Sequence, residues 1–198
     1  MKVLVACEFS GRVRDAFLKR GHDAWSCDII PTESPGPHYQ CDVRDVLHTY
    51  TWDLMIAHPP CTHLAVSGAR WWKDKPPEWQ RDALAFVKLL LDAPIPKIAL
   101  ENPVGCISTH IRKPDQAVQP YFFGDRAQKT THLWLKNLPL LKPTNLVDAG
   151  EMMTCLGPSG RLKVVPRWIN ATRGGKQRGH DRSVTFQGLA NAMAEQWG

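Results

Sequence analysis

The sequence predicts an α/β fold, a single domain built on a doubly wound, mostly parallel sheet. Three observations lead there. Short apolar runs alternate with helical patterns over roughly the first hundred residues. The chain has 198 residues, 43% of them hydrophobic, enough to bury one core. Polar or reactive residues follow directly on four of the apolar runs: Glu8 and Ser10, Asp28, Cys61, then Glu101 with Asn102. In such sheets the ligand crevice lies beyond the carboxyl ends of the strands.

The elements follow in order. "KVLVACEF" is a β-type run. "GRVRDAFLKRGH" places Val13, Phe17 and Leu18 at helical spacing, with Gly21 as a C-cap. "DAWSCDII" reads as a second strand, and Pro31, Pro35, Gly36 and Pro37 mark a loop. "HYQCDVRDVL" is a short element leading into a turn, and "WDLMIAH" is a third strand. "EWQRDALAFVKLLLDA" is a helix with Ala83, Phe86, Val87, Leu90 and Leu91 on one face, stopped by Pro94 and Pro96. "KIALENP" and "KTTHLWLK" are the fourth and fifth strands, and "GLANAMAEQW" is a closing helix.

Charge and cysteines narrow the function classes. The net charge of +6 permits a polyanionic partner without requiring one. From Arg161 to Arg182 run Arg161, Lys163, Arg167, Arg173, Lys176, Arg178 and Arg182, against Asp181 alone. With Gly174, Gly175 and Gly179 between them, this reads as a basic loop, either simply solvated or following phosphates. No apolar stretch approaches the ~20 residues of a membrane span. The start reads as a strand rather than a signal peptide, so the expected location is cytoplasmic. Six cysteines include no C-x-x-C pair, which argues against a disulfide framework in a cytosolic chain. Cys61 and His63, and Cys106 and His110, are close, but no two cysteines have zinc spacing, so no metal is expected. A homodimer has no support in the sequence.

The first loop, "CEFSGRVRDAF", is neither G-x-G-x-x-G nor a P-loop, which fits a cofactor without phosphates. Asp28 at the end of the second strand suits a ribose hydroxyl. Asp42 reads equally as an acceptor for an adenine amino group or as a turn cap. Cys61, held behind Pro59 and Pro60, is a nucleophile, a metal ligand or a small core filler.

In order along the chain, these motifs resemble the DNA cytosine-C5 methyltransferases, and more narrowly small phage-type members. The resemblance rests on Phe9-Ser10-Gly11, Asp28, Asp42, Pro60-Cys61, Glu101-Asn102, "DRAQKTTHLWL" and "SVTFQGLANAMA". It implies a Rossmann-like methyltransferase sheet binding S-adenosylmethionine. The cofactor would lie against Glu8, Phe9, Ser10, Gly11, Asp28, Ile29, Asp42, Val43, Pro59 and Ser183. It implies that the Cys61 thiolate adds to C6 of a cytosine flipped out of DNA. Glu101 protonates or hydrogen-bonds N3, Asn102 orients loop or base, and Lys129 contacts the base oxygen or a phosphate. Arg70, Lys73, Arg126, Arg173, Lys176, Arg178 and Arg182 would contact DNA. Thr62 stands where the family has Gln.

The resemblance divides the chain into a cofactor-binding and catalytic core (1–142), a basic Gly-rich arm in place of a target-recognition domain (143–182) and a closing helix (183–198). So small an arm implies short or relaxed sequence specificity. Two other functions stay open: a C5-modifying enzyme for free pyrimidine nucleotides, and a catalytically weak DNA- or cofactor-binding relative. Trp71, Trp72 and Trp79, near Pro76 and Pro77, either stack on a base or pack the loop after Cys61 onto the helix.

Overall fold

Seven strands form one sheet in the order β3-β2-β1-β4-β5-β7-β6. The structure, a computed structural model, describes residues 1–157, 160–171 and 176–198; the side chains of 70, 71, 73, 170, 171 and 176–178 lie outside that description. The sheet strands are β1 (Lys2–Ala6), β2 (Asp23–Asp28), β3 (His38–Gln40), β4 (Leu54–Ala57), β5 (Lys97–Pro103), β6 (Gln116–Val118) and β7 (Thr131–Lys136). The first five pair in parallel, and β7 runs antiparallel to both β5 and β6. The α/β, doubly wound prediction holds.

The sheet is buried on both faces, which is why its strands read as nearly unbroken apolar runs. Side chains alternate. Val3, Val5, Leu54 and Ile56 pack with Phe17 of α1 (Arg12–Leu18) and Met193 and Trp197 of α6 (Gln187–Trp197). Leu4, Met55, Ile98 and Leu100 pack with Val87 and Leu90 of α2 (Pro77–Leu91) and with Ile107 of α3 (Ile107–His110). Gly21 takes φ +80° just past α1, as a C-cap glycine should.

The stretch expected as a basic loop is more ordered than its composition suggests. β8 (Met152–Leu156) and β9 (Leu162–Pro166) form an antiparallel hairpin, followed by α4 (Arg167–Ala171) and α5 (Lys176–Ser183). "EMMTCLGPSGRLKVVP" carries two apolar runs around Gly157 and Gly160, a hairpin signal masked by the charge of the following segment. No described helix is long and apolar enough to cross a membrane.

Candidate active site

The sheet order reverses between β1 and β4, and the crevice belongs beyond the ends of these strands. At the end of β1 the chain turns sharply: Cys7 has φ 58° and Gly11 φ 74°. Glu8 is buried and points back to cap α1. Its carboxylate accepts from the Val13 N–H at 2.7 Å and the Arg14 N–H at 3.2 Å, which also places a negative group at the helix N-terminus. Ser10 Oγ donates to the same carboxylate. Glu8 and Ser10, expected against the cofactor, are thus engaged in holding the loop. A Cβ on Gly11 would sit 2.9 Å from Ser34 Cβ and closer still to Arg14 Nη2, so Gly11 is required for packing.

Sequence reasoning passed over Arg14, which is fully buried. Its guanidinium donates to Asp15 Oδ1 (2.8 Å), Ser26 Oγ (3.1 Å), Thr32 Oγ1 (3.2 Å) and the Ser34 carbonyl (2.9 Å). A buried cation is tolerated only with such pairing. The result is a staple between α1 and the loop that follows Asp28.

Asp28 and Ile29 lie at the end of β2. Asp28 is half-buried and accepts from the Ile30 N–H; burial pushes its carboxyl above the usual range, against the pull of the Ile30 and Ile29 amides and of His38. Beside it Ile29 is 73% exposed. Asp42 takes the capping role. It accepts from the Arg44 N–H at 2.9 Å and pairs with the Arg44 guanidinium. The Val43 side chain is buried in the core. Burial pushes the Cys7 thiol up to about 12, and the charges of Asp28 and Asp42 add to the rise, so both acids flank the end of β1.

The reactive groups meet across β4, β5 and β7. Ala57 pairs with Leu100, and one step further His58 Nδ1 lies 3.2 Å from Glu101 Oε2. Burial pushes the Glu101 carboxyl up. The hydrogen bond from His58, the charges of Lys129 and His58 and the nearby Thr131 hydroxyl outweigh it, so the group is held below the usual carboxylate range. Asn102 is 1% exposed, and its Nδ2 donates to the Pro59 carbonyl at 2.8 Å. Asn102 thereby fixes the Pro59-Pro60-Cys61 turn. The Cys61 carbonyl then accepts from the Leu64 and Ala65 amides.

The Cys61 thiol is pushed up, first by burial and then by the Glu101 charge, while Lys129 and Arg182 pull it down. One carboxylate and two cations therefore act on one sulfur. The structure brings Cys61, Glu101, Asn102 and Lys129 together and adds His58. It also adds Gly105, where a Cβ would overlap the Leu64 carbonyl oxygen. That close approach lets the turn after β5 bond to the Cys61 loop through Cys106 N–H to Leu64 O and Val66 N–H to Val104 O.

The segment before α6 folds over this site. Lys129 Nζ donates to the Arg182 carbonyl at 2.8 Å, and Arg12 donates to the Thr185 carbonyl at 3.1 Å. The His180 ring lies 5.3 Å from the Phe9 ring and pairs with Glu33. Trp168 Nε1 donates to the Gln128 carbonyl, and its ring meets Phe186 edge-on. Ser183 is exposed, its hydroxyl donating to the His180 carbonyl. Of the expected DNA contacts, Arg182 has a charge that is felt at the Cys61 thiol and a carbonyl that accepts from Lys129, and Arg126 is exposed and paired with Asp148. Arg173 and the side chains of Arg70, Lys73, Lys176 and Arg178 lie outside the described residues.

A pocket of about 160 Å³ opens between the loop that follows Cys61 and α2, lined by His63, Trp72, Lys75, Pro76, Pro77, Trp79 and Gln80. The His63 and Trp79 rings are 5.3 Å apart. Among the described residues no three His, Cys, Asp or Glu side chains are grouped to hold a metal.

No protein-family profile and no curated protein matches the chain. Among solved structures it is similar to one described as a candidate DNA modification methyltransferase encoded within a prophage (E. coli), at 13% identity and a TM-score of 0.49. The similarity covers 74% of this chain and 51% of that one, so the chain spans about half the length of that protein.

Proposed function

We propose that this chain methylates C5 of cytosine in DNA through a Cys61 adduct at C6, with S-adenosylmethionine as methyl donor. The observation that carries the reading is the cluster at the ends of β4, β5 and β7, where Asn102 holds the turn before Cys61, His58 bonds Glu101 and Lys129 reaches the Arg182 carbonyl, with the charges of Glu101, Lys129 and Arg182 felt at the thiol.

C5 of cytosine is a poor nucleophile. When the Cys61 thiolate bonds to C6, the C5–C6 electron pair is released towards C5 and the ring becomes an enamine. Thiolates suit this step because of their intrinsic nucleophilicity. In the free protein Cys61 rests as a thiol, and its proton would pass to water before attack. Lys129 and Arg182 favour that ionisation. N3 takes a proton as sulfur adds. Glu101 faces it as a carboxylate, and His58, hydrogen-bonded to Glu101, is the group placed to pass that proton on. Asn102 keeps the sulfur in register by holding Pro59. With the methyl group on C5, the C5 proton would pass to water, the Cys61 sulfur would leave as thiolate while the C5–C6 double bond re-forms, and N3 would give its proton back along Glu101 and His58.

The cofactor fits the ends of β1 to β3. Asp28 is a half-buried acid with an exposed apolar neighbour, Ile29, a suitable pairing for a ribose hydroxyl and a flat ring. With Phe9 they would hold S-adenosylmethionine, which when bound supplies an electrophilic methyl group. In this reading residues 143–182 stand in place of a target-recognition domain, and sequence specificity is short.

The test is transfer of labelled methyl from S-adenosylmethionine to duplex DNA or to free dCMP, by the full chain and by Cys61→Ser. Label in DNA that requires Cys61 supports the reading. Label only in the nucleotide replaces the substrate, and cofactor binding without any label removes the activity.

A further inference from the structure

We propose that the pocket between the loop that follows Cys61 and α2 receives the nucleobase that neighbours the target cytosine on the same strand. The proposal rests on the cytosine reading of Cys61 and adds to it a subsite for sequence preference. Distance is the first argument. His63 is two residues from Cys61, so their Cα atoms are at most about 7.6 Å apart. One nucleotide step spans ~3.4 Å when stacked and more when a base is flipped out. A base in the reach of Cys61 therefore carries its neighbour to this pocket.

Wall chemistry is the second argument. Trp79 is 48% exposed, leaving a flat apolar face for stacking. The His63 ring tilts 58° to it. His63 Nδ1 and Trp72 Nε1 are buried without a hydrogen-bond partner among the described residues. Unpaired buried polar atoms are costly, and packing of the loop onto α2 leaves both unpaired. A base edge offers both acceptors and donors. Trp72 Nε1 can only donate, and His63 Nδ1 serves either way according to its tautomer; both are shielded in the free protein, so either reaches a base only once its ring turns. The second torsion of a histidine is broad, so a modest ring rotation presents that nitrogen to the pocket. Lys75, on the rim with its Nζ 3.5 Å from the Thr62 carbonyl, supplies a charge for the adjoining phosphate. One stacked and edge-read base gives a dinucleotide-level preference without a separate recognition domain.

The experiment uses the full chain and duplexes carrying one cytosine, flanked on either side by each of the four bases or by an abasic site. Affinity is read by fluorescence anisotropy, and methyl transfer is followed on the same duplexes. One flank should bind at least about fivefold more tightly with a base than when abasic. Trp79→Ala should erase that ratio and Trp79→Phe should keep it, with circular dichroism confirming that both variants fold. An unchanged ratio in Trp79→Ala, or no flank dependence in the wild type, overturns the pocket assignment. Methyl transfer without flank dependence sinks the pocket alone. Flank dependence without methyl transfer leaves the pocket standing and sinks the cytosine chemistry.

Discussion

His58 Nδ1 stands 3.2 Å from Glu101 Oε2, with the two side chains 9% and 13% exposed. The pair bridges the ends of β4 and β5, and the Glu101 charge is felt at Cys61. Glu101 has a folded pKa below its unfolded value. Its contribution to stability is therefore complete above the unfolded carboxylate pKa of ~4.3 and is lost as pH falls through the folded value. In His58→Phe, burial loses its main counterweight, and ionised Glu101 destabilises the fold by about 3 kcal/mol at pH 7. Urea unfolding should show that deficit at pH 7 and a much smaller one at pH 4. An equal deficit at both pH values contradicts the pairing.

Cys61 should respond to its two kinds of charged neighbour in opposite directions. Removing the Glu101 charge in Glu101→Gln takes away a cause of its raised pKa, so alkylation by iodoacetamide should quicken severalfold at pH 7.5. Lys129→Met should slow it. Peptide mass mapping isolates Cys61 from the other thiols. The same order of rates in both variants, or no change in either, rejects the charge arrangement.

The turn that carries the thiol depends on Asn102 and Gly105. Asn102→Ala removes the donor to the Pro59 carbonyl and should cost about 1–3 kcal/mol in urea unfolding. Gly105→Ala forces a Cβ into the Leu64 carbonyl and should also destabilise, with amide exchange rising across residues 61–66. Wild-type exchange in that stretch would dissociate Gly105 from the Cys61 loop.

Asp28→Ala should weaken S-adenosylmethionine binding about tenfold, the loss of one hydrogen-bonded anchor, while the rate of Cys61 alkylation stays put. Isothermal titration calorimetry reads the first and mass mapping the second. Unaltered affinity would move the cofactor away from the end of β2.

Cys61, Glu101 and Asn102 were legible in the sequence because each follows an apolar run, and a parallel sheet brings such ends to one edge. His58 needed the register of Ala57 against Leu100, which no local pattern displays. Arg14 looks like an ordinary surface residue of an amphipathic helix, and its burial depends on acceptors from the loop after β2. Asp42 carried two readings, and the structure shows it accepting from the Arg44 amide as a cap does. The β8–β9 hairpin left a legible turn at Gly157–Gly160, but the basic residues around it argued for a loop.

The account turns on a covalent bond between Cys61 and cytosine C6. Duplex DNA in which 5-fluorocytosine replaces cytosine, incubated with the full chain and S-adenosylmethionine, tests it most directly. Fluorine at C5 does not leave as a proton does, so the sulfur cannot depart. A denaturation-resistant protein–DNA adduct mapped by mass spectrometry to Cys61, and missing in Cys61→Ser, is the predicted result. Methyl transfer to ordinary DNA with no adduct on the fluorinated duplex, or an adduct at another residue, would contradict the role given to Cys61.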